Sequence, residues 1–142
     1  MQNHHHHIEA SLLRFIADFA TEHGIGALYL DGFTDEDQWP TGDFIGVGEI
    51  NQDISEFFEG QCAIAISTVG DTNLQRMRSL MAPLVQKLLP NSNIPIYHSE
   101  TGLEIGKLFV MSGVRVGSPI VTKTQPIRPV TFQFTSNLTS AS

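Results

Sequence analysis

The stretch from Leu74 to Leu88 constrains the fold most. Leu74, Met77, Leu80, Met81, Leu84, Val85 and Leu88 recur at three- and four-residue spacing, which places them on one broad apolar stripe of a helix. A stripe this wide has to be laid on a second apolar surface. Thr72 followed by Gln75 matches a capping box at the start, and Pro90 with Asn91 ends the helix. Pro83 lies inside it. A proline there removes a backbone donor, so a kink or a division of the helix is expected.

The receiving surface is read from segments that alternate. Across 61–69, Cys62, Ile64 and Ile66 fall on one side of a strand, and Ala63 and Ala65 on the other. Across 130–138, Val130, Phe132, Phe134 and Leu138 oppose Thr131, Gln133 and Thr135. Shorter strands are expected at 27–30, 44–50 and 94–97, the last at an edge because Pro95 cannot donate to a ladder. A further β segment, 103–116, is broken by Gly113. A first helix is expected over 8–22, with Ile8, Leu12, Phe15, Ile16 and Phe19 on one face. Gly24 then suits the left-handed position past its end. The order implies an α+β fold: a mixed, mostly antiparallel β-sheet packed by two α-helices, with an extended β-rich C-terminal part. A length of 142 residues fits one domain, read as 8–138, with a disordered His-rich N-terminus at 1–7 and a mobile tail at 139–142.

An apolar share of 41% argues for a packed core rather than disorder. No apolar run approaches the ~20 residues of a membrane span, and the first residues lack the pattern of a secretory signal. A single cysteine, Cys62, excludes an internal disulfide and reads as a small core residue. Charge is divided unevenly. Residues 1–60 hold twelve acids and one base, Arg14, whereas 61–142 hold three acids and seven bases. Such polarity suits the acidic region of one copy meeting the basic region of another. A solvated acidic face is the plainer alternative.

Motifs of chemistry do not assemble. Gly24-Ile25-Gly26 follows a helix and lacks the third glycine of a dinucleotide fingerprint. The run from Gly102 to Lys107 is one residue short of a phosphate loop and has Leu108 where Ser or Thr is needed. Asp35, Glu36 and Asp37 lack the spacing of a calcium loop. His4–His7 reads as a frayed terminus or purification remnant rather than a metal site, and His98 with Glu100 as a surface turn rather than a base–carboxylate pair. No catalytic, metal or cofactor residue is assigned. The four bases from Lys107 onward are too sparse for general affinity to nucleic acid.

Four stretches carry a resemblance. They are the first helix with Ala27-Leu28-Tyr29-Leu30-Asp31-Gly32, and the strand-to-helix unit from Ile64 through Asp71 to Leu88. The others are Gly117-Ser118-Pro119, and Arg128 leading Val130-Thr131-Phe132-Gln133-Phe134. Together they resemble the lambda-type tail-terminator (tail-completion) proteins of long-tailed bacteriophages. The linkers 51–60 and 99–107 are longer than in compact members. The resemblance implies a non-enzymatic virion protein, made in the host cytoplasm and placed at the tail–neck region. It would form a hexameric ring that ends tail-tube polymerisation and joins the tail to the head connector. Its partners would be further copies, the tail tube protein and a neck protein, with DNA passing through the channel unbound. Interface candidates on this reading are Asp35, Glu36, Asp37, Trp39, Asp43, Arg115, Lys123 and Arg128. Alternatives are another neck or stopper adaptor, and a small ligand-binding or enzymatic domain using His98, Glu100 and Cys62.

Overall fold

The computed structural model describes residues 4–30, 38–52, 59–89, 92–111, 114–120, 122 and 125–138. It is an α+β fold. Helix α1 (His4–Glu22) leads to β1 (Ala27–Tyr29), β2 (Phe44–Gln52) and β3 (Gly60–Ser67). A 3-10 turn (Thr72–Leu74) enters α2 (Gln75–Lys87), followed by β4 (Asn93–Tyr97), β5 (Glu104–Val110), β6 (Arg115–Val116) and β7 (Ile127–Leu138). The strands form one sheet in the order β1-β2-β3-β7-β5-β4, with β6 also on β7. β1 pairs with β2 in parallel, and every other pair is antiparallel.

β7 is the spine. Its first part, Ile127–Phe134, pairs with β3, and its last part, Phe134–Leu138, pairs with β5. Phe134 belongs to both registers, opposite Gly60 on one side and Val110 on the other. The expected break of the 103–116 segment is realised as two strands, β5 and β6, at different levels of β7.

Register gathers the core on one face. Ile45, Val47, Cys62, Ile64, Ile66, Val130, Phe132, Phe134, Leu108, Val110, Ile94 and Ile96 are all buried in one cluster. Both helices lie on this face. α1 contributes Ile8, Leu12, Ile16 and Phe19, and α2 with its exit contributes Met81, Leu84 and Leu88. Each such side chain contributes roughly 1.5–3 kcal/mol by leaving water. That outweighs the weak intrinsic preference of the β-branched residues in α1.

The helix ends are settled locally. α1 closes on Gly24 at φ +72, where Ile25 N–H donates to Ala20 C=O (2.8 Å) and Gly24 N–H to Thr21 C=O (3.4 Å). This is the paired-bond stop that a left-handed residue makes possible. α1 begins at His4, ahead of the residue 8 expected from apolar spacing, because the His7 ring is buried against His98. The expected capping box at α2 is replaced. Asp71 accepts from the N–H groups of Arg76 and Met77 (both 2.9 Å) and from the Thr68 hydroxyl (2.9 Å). A carboxylate has two oxygens for two first-turn donors, whereas a threonine hydroxyl serves one. α2 then runs through Pro83 as one element, so the proline does not divide it.

The β4 edge is shielded. Pro95 has no N–H to offer, and Tyr97 N–H donates to Ser11 Oγ of α1 (2.9 Å). Among the described residues, no helix is long and apolar enough to cross a membrane.

Candidate functional site

With both helices on one face of the sheet, the outer face is where exposed chemistry can gather. Its two ends differ. At one end Phe44, Ala65, Ile127 and Trp39 form a second, smaller buried cluster, with Ala27 and Tyr29 packed against it. The Trp39 and Phe44 rings lie 5.5 Å apart. Trp39 is therefore a core lid, 8% exposed, and not a free anchor for a partner. Its Nε1–H has no acceptor among the described residues.

Around this lid, polar groups pin the loops. Gln125 donates to Gly42 C=O (3.1 Å) and to Ser67 Oγ (2.7 Å), and Ser67 Oγ donates to Pro126 C=O (2.8 Å). Asp43 accepts from Val69 N–H (2.8 Å) and takes two contacts from Arg76, 3.0 Å from Nη2 and 3.2 Å from Nε. Arg76 also donates to Val69 C=O. Burial pushes the Asp71 carboxyl up, but the Arg76 and Met77 N–H groups, the Thr68 hydroxyl and the Arg76 charge outweigh it, and the carboxyl titrates below its ordinary range.

The sequence-derived interface residues separate on this surface. Asp43 is engaged by Arg76 inside the chain. Arg128 is half-buried and donates from Nε to Gly117 C=O (3.0 Å), so it clips the 117–119 segment onto β7. Arg115 is exposed on β6. Asp35, Glu36, Asp37 and Lys123 lie outside the described residues. Acids of the first sixty residues already meet two of the later bases within one chain, through Asp43–Arg76 and Glu22–Lys87 (3.3 Å). Folding thus mixes part of the charge that the sequence keeps apart.

The reactive candidates do not converge. Cys62 is fully buried on the core face of β3, and burial pushes its thiol up to about 12, far from a nucleophilic thiolate at neutral pH. His98 Nδ1 accepts from the backbone N–H groups of Glu100 (3.2 Å) and Thr101 (3.4 Å), so backbone rather than the Glu100 carboxylate orients it. The His98 ring stacks on His7 at 4.3 Å. His7 Nδ1 lies 3.1 Å from Ser99 Oγ, but the Ser99 N–H donates to the same nitrogen (3.2 Å) and claims the lone pair a base would need. Among the described residues, no group of three or more His, Cys, Asp or Glu is placed to hold a metal ion.

The other end of the outer face is open. Asn51, Gln61 and Gln133 are exposed there, joined by Glu59, Met111, Thr131 and Arg115 around two adjoining clefts of about 430 and 320 Å³. The alternation of β7 signals that Thr131 and Gln133 face outward. That Gln61 and Asn51 stand beside Gln133 depends on strand order, which alternation does not reveal.

No protein-family model matches the chain, and no curated protein matches it. Among the solved structures that match, one superposes with a TM-score of 0.61 over 96% of this chain and 98% of that chain. At 15% identity that likeness shows the fold alone.

Proposed function

We propose that the chain is a non-enzymatic structural protein of a phage virion. Its copies form a hexameric ring that ends tail-tube polymerisation and presents the surface for the head connector. The carrying observation is where the four resembling stretches fall. Their described residues occupy α1–β1, β3–α2, the 117–119 segment and β7. The Arg128–Gly117 hydrogen bond ties the last two together. The resemblance thus runs through the parts that build the sheet and its cover, as a likeness of architecture would. Charge supports the same reading, with Arg115 exposed on β6 and the acidic excess in the first sixty residues. A head-to-tail contact between unlike surfaces closes into a ring when its rotation closes. A neck or stopper adaptor shares this logic and differs in where the ring sits in the particle.

The open polar clefts favour a second reading, a small ligand-binding domain. Light scattering after size exclusion separates the two. The ring reading expects a discrete species near six copies of the 15.6 kDa chain, alone or on addition of tail tubes. Arg115→Glu should shift that species toward monomer without lowering thermal stability. Arg128 is a poorer probe, because its side chain also holds Gly117. A chain that stays monomeric and leaves tube ends bare in electron micrographs would overturn the ring.

A further inference from the structure

The outer face carries a row of side chains that neither the core nor the ring reading uses. Register sets Asn51 opposite Gln61, and Gln61 opposite Gln133, so three exposed carboxamides stand side by side across β2, β3 and β7. Neighbouring strands lie about 4.8 Å apart, so the row spans about 10 Å. On the next outward rung Thr131 pairs with Arg115. The two clefts open over these rungs and share Gln61 and Gln133. Among the described residues, the three amides make no side-chain hydrogen bond.

Each carboxamide offers two N–H donors and one carbonyl acceptor, uncharged at any ordinary pH. A ligand that matches a row of them has groups that donate and accept at the same spacing, and hydroxyls do both. An anion would meet Glu59 and one cation, Arg115. Nucleic acid would want several cations and an exposed aromatic face for stacking; among the described residues these linings offer one cation, Arg115, and one aromatic, Phe132, which is buried. An apolar segment would find little to bury against: among the described lining residues Met111 is the exposed apolar side chain, and Phe132 is buried.

We infer that this row is a subsite for a neutral saccharide about two sugar rings long. Asn51, Gln61 and Gln133 hydrogen-bond its hydroxyls, and Glu59 closes one end of the row. Binding at so shallow and solvated a site is weak, in the millimolar range. The inference stands whether or not the copies form a ring.

The test is a titration of the ¹⁵N-labelled full chain with neutral tetrasaccharides of α-1,4 and β-1,4 linkage, and with an acidic oligosaccharide for comparison. Saturable shifts are expected at the side-chain NH₂ resonances of Asn51, Gln61 and Gln133 with a neutral probe. Gln61→Ala combined with Gln133→Ala should weaken binding about tenfold or more while leaving the backbone spectrum and thermal midpoint in place. Absence of saturable shifts with every neutral probe, shifts that persist in the double variant, or tighter binding of the acidic probe would each overturn the assignment.

Discussion

Asp71 shows how one side chain settles where an element begins. The two residues after Thr72, Asn73 and Leu74, both sit in the left-handed region at φ 57. That is costly for a leucine. The turn persists because Asp71 collects two first-turn N–H groups and the Thr68 hydroxyl beyond it. Asp71→Ala removes those acceptors and is expected to cost about 1 kcal/mol, as loss of a cap does, read from urea unfolding midpoints. The acid side follows from the sign of the shift. A carboxyl held below its unfolded value of about 3.9 stabilises the fold above that pH and loses its contribution as pH falls through the folded value. The Asp71→Ala protein should therefore show a shallower loss of stability below about pH 4 than the parent, and equal slopes would reject this role.

At the scale of elements, α2 poses the sharpest question. Pro83 is the ninth of its thirteen residues and half-buried, and the helix passes through it. The apolar stripe explains the tolerance. Met77, Met81, Leu84 and Leu88 are anchored on both sides of the proline, so burial holds the axis where one hydrogen bond is missing. Pro83→Ala restores an N–H that can donate to the Ser79 carbonyl. It should raise stability by about 1 kcal/mol, part of the ~3 kcal/mol that separates the two residues in a helix interior, measured by thermal melts. Unchanged stability would mean that Pro83 packing matters as much as the lost bond. The same elements show what was legible in the sequence. Periodicity is local, so the stripe of α2, the alternation of β3 and β7 and the Gly24 stop can all be read from neighbours along the chain. The Asp71 cap was missed because Thr72 and Gln75 offered the expected spacing, and only the φ values of Asn73 and Leu74 swing the first-turn donors toward Asp71. The three-carboxamide row was missed for a different reason. It joins residues 51, 61 and 133, and nothing in one chain's local pattern states that β3 lies between β2 and β7. Trp39 divides the two cases, since its neighbour Pro40 hints at a lid but its partners Ala65 and Ile127 are remote.

For the whole molecule, β7 makes two patches of structure depend on each other. Trp39 sits in the small outer cluster, near the β3-paired start of β7, while the helices report the large core on the other face. If the sheet is one cooperative unit, tryptophan fluorescence and far-ultraviolet circular dichroism should lose their native signals at the same denaturant concentration. Phe134 is the place to stress that coupling, because it is fully buried where the β3 and β5 registers meet. Gly60 fits opposite it only because it has no Cβ. One placed there would lie 2.8 Å from the Phe134 ring and 2.1 Å from the Asn51 carbonyl. Phe134→Ala opens a void at this crossing and is expected to cost about 3–5 kcal/mol, with both probes shifting together. Were the fluorescence midpoint to stay in place while the helical signal moved, the outer cluster would be a separately folding unit. The open clefts at the far end of that face draw Thr131 and Gln133 from β7, so they would then rest on a strand shared by two units rather than on one rigid sheet.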